Sequence, residues 1–459
     1  MTVIGTGYLG ATHAACMAEL GHEVLGVDVD ESKIELLKNG KVPFYEPGLP
    51  EVLQRNLAAG RLDFTTDYQR AAQFGNIHFI GVGTPQQRGS YAADTRYVEA
   101  VVEDLVPKLV GDHILFGKST VPVGTAAALQ ARADELAPAG TTVEVAWNPE
   151  FLREGYAVQD TIEPDRIVLG TRGTNISTST TTTSSTQTTT TRAEAIAREV
   201  YATPLANRTP FLVTDLHTAE LVKVSANAFL ATKISFINAV AEVCEIVGAD
   251  VTQLADAIGY DDRIGRKFLG AGLGFGGGCL PKDIRAFMAR AGEIGADQAL
   301  TFLREVDAIN MRRRERVVNL SKAVLGSLIG KRITVLGAAF KPNSDDVRDS
   351  PALAVAGQLS LAGASVRVYD PQAMDNAARV FPTLDYADSL EDALRSAELV
   401  ILATEWAEFK QLDPNQAGEL VAARRIIDGR NVLDPDTWRA AGWDIRCLGR
   451  ATTADLACP

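Results

Sequence analysis

The sequence predicts an α/β protein in which two doubly wound parallel sheets are joined by a long central helix. Three observations support this fold class. Short apolar strands alternate with helical segments from the first residue to about residue 169, an unbroken helical pattern spans about residues 215–248, and a second series of apolar strands begins at residue 332. Such alternation is typical of parallel sheets with crossover helices.

The strands of the first series are short and apolar. We predict them at residues 1–4, 23–28, 77–82, 113–116, 143–146 and 166–169. A tract of Thr and Ser at residues 174–191 interrupts the pattern before the next helix. Because such a tract has too little apolar surface to build a core, we predict a disordered surface loop there.

A glycine motif follows the first strand and opens the first helix. It consists of Gly5, Thr6, Gly7, Tyr8, Leu9 and Gly10. The next strand ends at Asp28, 18 positions after Gly10. In dinucleotide-binding folds the helix N-terminus receives the pyrophosphate, and such a carboxylate binds the ribose hydroxyls. Because Asp28 repels a 2′-phosphate and no arginine follows it, the pattern predicts a Rossmann-like domain that binds NAD rather than NADP.

A second glycine-rich segment, at residues 270–283, reads GAGLGFGGGCLPKD and brings a cysteine close to two charged residues. These are Cys279, Lys282 and Asp283. Glycines allow the backbone to approach a ligand, and neighbouring positive charge favours the reactive thiolate. A lone cysteine in a flexible loop is more often a small buried side chain. Because this loop shares a chain with the dinucleotide motif, we favour covalent redox chemistry at Cys279.

The composition argues against several other classes of protein. The chain has 459 residues and a formal net charge of −13, and a nucleic-acid partner would require a basic surface. The five cysteines show neither a disulfide framework nor a zinc pattern, and the five histidines form no cluster. We therefore expect a reducing compartment and no metal site. Because no apolar run reaches about 18 residues, we expect a cytoplasmic protein that does not bind membranes.

The second series of strands predicts another Rossmann-like domain at the C-terminal end. Its strands are expected at residues 332–337, 366–370, 399–404 and 426–428. The segment after the first strand reads GAAFKP, which is not a dinucleotide motif, so this domain should hold a different nucleotide. The predicted domains are residues 1–210, a central helical domain at 211–318 that carries the cysteine loop, and residues 319–459.

Motifs across nearly the whole chain resemble the UDP-glucose/GDP-mannose dehydrogenase family. Besides the two glycine-rich segments, they are GTP at residues 83–85, KSTVPVGT at 118–125, NPEFLREG at 148–155 and AFKP at 339–342. The segments DRIG at 262–265 and KFL at 267–269 resemble the UDP-glucose branch. The resemblance implies an NAD-dependent, four-electron oxidation of the primary alcohol of UDP-glucose to a carboxylate.

The resemblance also assigns catalytic roles to six residues. Asp283 is the expected base, acting directly or through water, and Lys223 is expected to stabilise the alkoxide. Asn227 lies four residues after Lys223 on the long helix, so it shares that face and can also donate to the oxyanion. Cys279 is expected to attack the aldehyde, giving a thiohemiacetal and then a thioester. Hydrolysis of the thioester is assigned to Glu150, which activates water, and to Thr120, which positions it.

Two further sets of residues match family positions that bind ligands. The expected NAD-binding residues are Gly5, Gly7, Tyr8, Leu9, Gly10, Asp28, Lys33, Thr84, Thr120, Glu154 and Arg348. The expected residues for the nucleotide sugar are Glu150, Phe151, Leu152, Lys223, Asn227, Arg263, Phe275, Gly276, Lys341 and Arg430. Arg263 resembles a residue contributed by a neighbouring subunit, which implies a homodimer built on the long helix.

Two alternatives stay open on the sequence alone. The same chemistry on another base and sugar would make the chain a GDP-mannose 6-dehydrogenase or another nucleotide-sugar 6-dehydrogenase, because base and hexose recognition depends on loop shape. A protein of a different class would sense NAD or a nucleotide sugar without turnover. The presence of Cys279, Lys223 and Asp283 argues against this second alternative.

Overall fold

The computed structural model describes residues 1–173 and 190–450 of the chain. The predicted disordered tract lies outside the described residues except for its last two positions, Thr190 and Thr191. Thr191 caps the helix that follows, because its hydroxyl oxygen accepts a hydrogen bond from the N–H of Glu194 at 3.1 Å. The chain divides into two compact units, Met1–Ala226 and Asn227–Pro459.

The first unit is built on an eight-stranded sheet in the order β3-β2-β1-β4-β5-β6-β7-β8. Its strands are β1 (Thr2–Ile4), β2 (Val24–Val27), β3 (Leu62–Thr65), β4 (Ile77–Ile80), β5 (Asp112–Gly117), β6 (Thr142–Trp147), β7 (Ile167–Thr171) and β8 (Phe211–Asp215). Its helices are α1 (Tyr8–Glu19), α2 (Glu31–Lys38), α3 (Leu49–Ala58), α4 (Tyr68–Phe74), α5 (Arg96–Leu105), α6 (Thr125–Leu136), α7 (Ala157–Ile162), α8 (Arg192–Val200) and α9 (Ala202–Ala206), with a 3₁₀ turn at Val106–Lys108. Strands β1 to β6 are parallel, as the alternating pattern predicts.

The far end of this sheet differs from the prediction. Strand β7 was expected within the parallel series, but it pairs antiparallel with β6 through Trp147 and Gly170, and β8 then runs parallel to β7. The sequence pattern revealed neither β3 nor β8. All five residues of β8 are at least partly exposed, which is typical of an edge strand and leaves little apolar pattern to detect. Strand β8 also extends the first sheet past the domain boundary predicted at residue 210.

Apolar side chains pack on both faces of the first sheet. Val3 and Phe79 belong to one buried cluster, whereas their neighbours Ile4 and Ile80 belong to another. Successive residues of a strand point to opposite faces, so the two clusters lie on opposite sides of the sheet. This is the doubly wound arrangement that the sequence predicts.

The turn between β1 and α1 requires glycine at two positions. Gly5 has a φ of +90°, a conformation that strains residues with a side chain. A Cβ atom on Gly10 would lie 1.7 Å from the carbonyl oxygen of Gly5, so α1 can approach the turn only with glycine there. In contrast, the space beside Gly7 is open. The N-terminus of α1 is therefore accessible to a ligand.

A single helix, α10 (Leu216–Val247), begins in the first unit and ends in the second. It has 32 residues, which corresponds to a length of about 48 Å at the usual rise of about 1.5 Å per residue. The long helix predicted for about residues 215–248 is thereby confirmed. None of the described helices, α10 included, combines the length and the hydropathy needed to cross a membrane.

The second unit contains a six-stranded parallel sheet in the order β11-β10-β9-β12-β13-β14. Its strands are β9 (Arg332–Leu336), β10 (Ser365–Tyr369), β11 (Asp385–Tyr386), β12 (Leu399–Leu402), β13 (Arg425–Asp428) and β14 (Asp444–Cys447). Its further helices are α11 (Val251–Gly259), α12 (Leu280–Glu293), α13 (Phe302–Leu325), α14 (Pro351–Leu361), α15 (Met374–Val380), α16 (Leu390–Leu394), α17 (Ala407–Lys410), α18 (Pro414–Leu420) and α19 (Pro435–Ala440), with a 3₁₀ turn at Asp297–Leu300. The four predicted strands are present, and the edge strands β11 and β14 were not predicted.

Asp370 follows β10 and holds the turn that follows β9. Its carboxylate accepts hydrogen bonds from the backbone N–H groups of Ala338 and Ala339, at 2.8 and 3.0 Å. The indole N–H of Trp406 donates to the same oxygen at 3.0 Å. In the first sheet the corresponding acidic residue after the second strand is Asp28. Asp370 is 1% exposed and bonded internally, in keeping with the absence of a dinucleotide motif in this unit.

Two buried histidines form a hydrogen-bonded chain within the first sheet. Nε2 of His113 lies 3.1 Å from the carbonyl oxygen of Val110, and Nδ1 of His113 lies 3.0 Å from Nε2 of His78. Nδ1 of His78 is 2.7 Å from the hydroxyl of Thr2. Because a carbonyl can only accept, the hydrogen bond between His113 and Val110 is donated by Nε2 of His113. Burial, together with the neighbouring His113, lowers the pKa of His78 to about 3.

We predict that protonation of His78 destabilises the first unit in acid. Its folded-state pKa of about 3 lies below the ordinary value of 6.5, so the unfolded chain binds this proton more readily. The stabilising contribution is therefore complete above the unfolded-state pKa and is lost as the pH falls towards the folded-state pKa. In His78→Gln the free energy of unfolding should fall less steeply between about pH 6.5 and about pH 4. Urea unfolding at a series of pH values measures this slope.

The exposed His217 of the same unit provides the control. His217→Gln should leave the slope unchanged. Equal slopes for His78→Gln and the unsubstituted protein would contradict the assignment to His78.

Candidate active site

The predicted site residues fall into two groups, one in each compact unit. In the first unit most of them lie in the loops that follow β1, β2, β4, β5 and β6, or in the first turns of the helices after these loops, at the carboxyl ends of parallel strands. This edge is where doubly wound sheets bind ligands. Lys223 lies on α10. In the second unit they lie mainly around the start of α12 and in the loops after β9 and β13. No group of three or more His, Cys, Asp or Glu residues in the described part of the chain is arranged to hold a metal ion.

Asp28 follows β2 and faces the glycine turn. Its carboxylate accepts hydrogen bonds from the N–H of Thr6 at 2.8 Å and from Nζ of Lys33 at 2.9 Å. Although burial opposes ionisation, the hydrogen bonds from Lys33 and from backbone N–H groups hold the pKa of Asp28 below its ordinary value. The carboxylate and the open space beside Gly7 together fit a dinucleotide whose ribose meets an acidic residue.

Tyr8 is the first residue of α1, and its hydroxyl donates to the buried carboxylate of Glu46, a residue to which the sequence analysis gave no role. The N–H of Gly155 lies 3.1 Å from the same hydroxyl oxygen. Burial, then the hydrogen bond to Glu46, raises the pKa of Tyr8 well above its ordinary value, and the charge of Glu154 adds to the effect. Leu9 is half-buried beside them. The structure therefore brings Tyr8 and Glu154, both predicted NAD-binding residues, together.

Two threonines connect the loops that follow β4 and β5. The hydroxyl of Thr84 donates to the carbonyl oxygen of Thr120 at 2.6 Å. Thr84 is buried and Thr120 is half-buried. These two predicted NAD-binding residues are therefore fixed relative to each other at the carboxyl edge of the sheet.

Glu150 and the buried Lys223 form an ion pair in the first unit. Oε1 of Glu150 lies 3.0 Å from Nζ of Lys223, and the two side chains are 12% and 7% exposed. The N–H of Leu152 donates to the other carboxylate oxygen at 2.6 Å, and Lys223 also lies over the ring of Phe151. The carboxylate of Glu150 is therefore held in one orientation by a cation and by a backbone N–H group. The structure thus brings together four of the residues predicted to bind the nucleotide sugar.

Lys118 is a functional candidate to which the sequence analysis assigned no role. It follows β5, is buried, and donates to Oδ1 of Asn148 at 3.0 Å and to the hydroxyl of Tyr201 at 3.2 Å. Burial lowers the pKa of Lys118 to about 8, while the charge of Glu150 opposes this shift. Lys118 and Glu150 line the same cavity. A lysine at the end of an apolar strand is the signal that could have identified it.

Cys279 is exposed and occupies the N-cap position of α12. A helix N-terminus favours the thiolate form of a cysteine. The preceding loop is buried and includes Gly274 and Gly277 with φ of +88° and +87°. The other three described cysteines are buried, and burial raises the pKa of Cys16 and Cys447 to about 12. Cys279 is therefore accessible at the start of α12 and is not a small core residue.

Asp283 lies in the first turn of α12 and is 1% exposed. Its carboxylate accepts a hydrogen bond from the amide of Asn227 at 2.6 Å and lies 2.7 Å from Nζ of Lys282. The N–H of Asp283 donates to the carbonyl oxygen of Cys279 at 2.8 Å. The predicted base is thus held one helical turn from the predicted nucleophile.

Two residues of α13 hold the cysteine loop, and sequence reasoning identified neither. The amide of Asn310 accepts a hydrogen bond from the N–H of Phe275 at 2.8 Å and donates to its carbonyl oxygen at 3.0 Å. Arg314 bonds Oδ1 of Asp349 at 2.9 Å. A Cβ atom on Gly276 would lie 2.4 Å from the carbonyl oxygen of Asp349, so only glycine fits there. The backbone at Phe275 and Gly276 is therefore tightly fixed.

Arg430 follows β13 and is bonded to the protein itself. Its Nη1 donates to the carbonyl oxygen of Gly274 at 2.8 Å, and its Nε donates to that of Ala403 at 2.7 Å. The guanidinium thus supports the cysteine loop in this structure. Lys341, another predicted residue for the nucleotide sugar, lies over the ring of Phe340 at 5.4 Å.

Arg348 and Arg263 are further predicted binding residues. Nη2 of Arg348 pairs with Asp346 at 2.6 Å, and its guanidinium covers Gly278, where a Cβ atom would lie 2.2 Å from it. The side chain of Arg263 is 89% exposed and pairs with Asp261 at 2.6 Å. Arg348 therefore lies beside the cysteine loop, whereas Arg263 projects from the surface of its unit.

Three family models match the chain in order. They describe the NAD binding domain of the UDP-glucose/GDP-mannose dehydrogenase family at residues 1–198, its central domain at 217–312 and its UDP binding domain at 334–435.

Individual relatives match over almost the full length. A UDP-glucose 6-dehydrogenase of Rhizobium meliloti is 41% identical over 98% of this chain and 99% of its own. The UDP-glucose 6-dehydrogenase TuaD of Bacillus subtilis is 40% identical over 98% of this chain and 93% of its own. The solved structure of a UDP-glucose dehydrogenase from Pyrobaculum islandicum, 38% identical, aligns with a TM-score of 0.87 over 98% of this chain and 97% of that chain. The chain therefore belongs to the UDP-glucose/GDP-mannose dehydrogenase family.

Proposed function

We propose that this chain oxidises the primary alcohol of UDP-glucose to the carboxylate of UDP-glucuronate with two molecules of NAD. The observation that carries the proposal is the exposed Cys279 at the N-terminus of α12, with Asp283 one turn away. Full-length relatives named UDP-glucose 6-dehydrogenase support the choice of substrate. NAD supplies the hydride acceptor in both oxidations.

In the first oxidation the alcohol must lose its hydroxyl proton as a hydride leaves the same carbon. We assign the proton to the carboxylate of Asp283, which Asn227 already orients through its hydrogen bond. Lys223 and Asn227 stabilise the alkoxide, because both are donors on one face of α10. The product of this step is the aldehyde.

In the second oxidation the thiolate of Cys279 adds to the aldehyde carbon. The new C–S bond gives the anion of a thiohemiacetal, and loss of a second hydride from that carbon to NAD gives a thioester. The covalent bond keeps the aldehyde from leaving between the two oxidations. This role requires an exposed sulfur, which Cys279 alone provides among the described cysteines.

Hydrolysis then releases the product. Glu150 takes a proton from a water that Thr120 positions, the water oxygen attacks the acyl carbon, and the C–S bond breaks to restore the thiolate. The ion pair with Lys223 and the hydrogen bond from the N–H of Leu152 hold the carboxylate of Glu150 in place for this step.

The proposal includes a homodimer built on α10. Phe229, Phe236 and Val243 are 66%, 53% and 57% exposed. They follow one another at intervals of seven residues, so they form an apolar stripe along the helix. The exposed Arg263 is then available to a neighbouring subunit.

We place the enzyme in the cytoplasm, where an exposed catalytic thiol stays reduced.

A panel of nucleotide sugars tests the proposed substrate. NADH formation with UDP-glucose should exceed that with GDP-mannose or UDP-N-acetylmannosamine by at least about 100-fold in kcat/KM, because unmatched polar groups in a binding site are costly. Preference for GDP-mannose would establish the alternative substrate. Binding of NAD and sugar by calorimetry without NADH from any sugar would establish a sensing protein.

Substitution of Cys279 tests the covalent mechanism. Cys279→Ala should lower overall turnover by about 10³-fold or more, because the second oxidation loses its nucleophile. In Cys279→Ser the hydroxyl can form an ester that hydrolyses slowly, so intact mass after incubation with UDP-glucose and NAD should show an adduct. The matched control is Cys244→Ala, which removes a buried thiol of the same unit and should retain turnover. A Cys279→Ala enzyme that forms two NADH per sugar at nearly the original rate would exclude the thioester.

A further inference from the structure

Glu46 is a buried carboxylate in the loop between α2 and α3, only 2% exposed. Three donors converge on it. Oε2 accepts hydrogen bonds from the hydroxyl of Tyr8 and from the N–H of Gly155, the latter at 2.6 Å. Oε1 accepts one from the N–H of Ala157 at 2.7 Å. A buried charge is stable only when its hydrogen bonds are satisfied in this way.

The groups bonded to Glu46 belong to two separate parts of the first unit. Tyr8 is the first residue of α1 and belongs to the glycine turn proposed to bind NAD. Gly155 directly follows Glu154, and Ala157 is the first residue of α7. Glu46 therefore connects the turn to the segment that contains Glu154 and, four residues earlier, Glu150.

The chemistry of the contact requires a carboxylate. All three groups that face Glu46 donate hydrogen bonds, and an ionised carboxylate is a pure acceptor at both oxygens. A glutamine has the same shape, but its NH₂ group would face at least one of these donors. Replacement by glutamine thus breaks the connection with almost no change in volume.

We propose that Glu46 is a positioning residue that fixes the segment containing Glu150 and Glu154 against the dinucleotide turn, so that NAD binding and the placement of these two carboxylates are coupled. The inference rests on the proposed function, in which Glu150 activates water and Glu154 lies in the NAD site. Glu46 acts through Tyr8 and through the N–H groups of Gly155 and Ala157.

A double-mutant cycle of E46Q and Tyr8→Phe tests the coupling. E46Q should raise the Kd and the KM for NAD by about tenfold, and should lower kcat, because coupling between sites of this kind is typically worth at least about fivefold. The Kd for UDP should stay within about twofold, a factor that corresponds to less than 1 kcal/mol. Tyr8→Phe should weaken NAD binding in the original protein but add little in the E46Q background.

Asn56→Ala is the matched control for stability. Asn56 is a fully buried polar residue of the same unit, and it forms hydrogen bonds with Glu19 and Arg61. None of these three residues belongs to the glycine turn. Asn56→Ala should leave the affinity for NAD unchanged even where it lowers the thermal stability as much as E46Q does. If E46Q fails to fold, Glu46→Asp is the second variant. It keeps a carboxylate but carries it on a side chain one methylene shorter, which moves the oxygens away from their three donors, so it should give the same rise in the Kd for NAD.

Two results would overturn the proposal. One is a Kd for NAD in E46Q that matches Asn56→Ala, which would make Glu46 a structural residue only. The other is strict additivity of E46Q and Tyr8→Phe, which would show that Tyr8 acts independently of Glu46. Formation of two NADH per sugar by the unsubstituted enzyme tests the proposed function separately.

Discussion

The chemistry proposed for this chain depends on the backbone bonds that hold the loop before Cys279. Asn310 bonds both the N–H and the carbonyl oxygen of Phe275, which fixes one residue of the loop at both of its polar groups. Gly276 then passes the carbonyl of Asp349 too closely for any other residue. With these contacts the loop is buried up to Gly277, and the sulfur is exposed only where the helix begins. The glycines therefore allow the loop to pack closely against the residues around it, and this packing sets the position of Cys279.

The charged groups of the site are paired within each unit. Glu150 is paired with Lys223, and Asp28 with Lys33. Asp283 is held by Lys282 together with an amide. Carboxylates in distinct environments can take distinct roles, so one can serve the oxidation and another the hydrolysis. The buried Lys118, whose pKa burial lowers to about 8, lines the same cavity as Glu150 and can change charge in the alkaline range.

Sequence reasoning succeeded where the signal is local. The long helix, the inner strands of each sheet and the acidic residue after β2 all follow from periodicity or from a motif of fixed spacing. It missed features that depend on contacts between distant parts of the chain. Glu46 meets Gly155 across 109 positions and Asn310 meets Phe275 across 35, and neither pairing leaves a pattern in the sequence. The antiparallel direction of β7 was missed for the same reason, because strand direction is set by the partner and not by composition.

The central claim is that one active site carries a primary alcohol through two oxidations without releasing the aldehyde. The most direct measurement is the ratio of NADH formed to UDP-glucose consumed, in the presence of a reagent that traps free aldehydes. The account predicts two NADH for each sugar, UDP-glucuronate as the product and no trapped aldehyde. The account would be contradicted if one NADH formed for each sugar and the consumed UDP-glucose were recovered as trapped aldehyde.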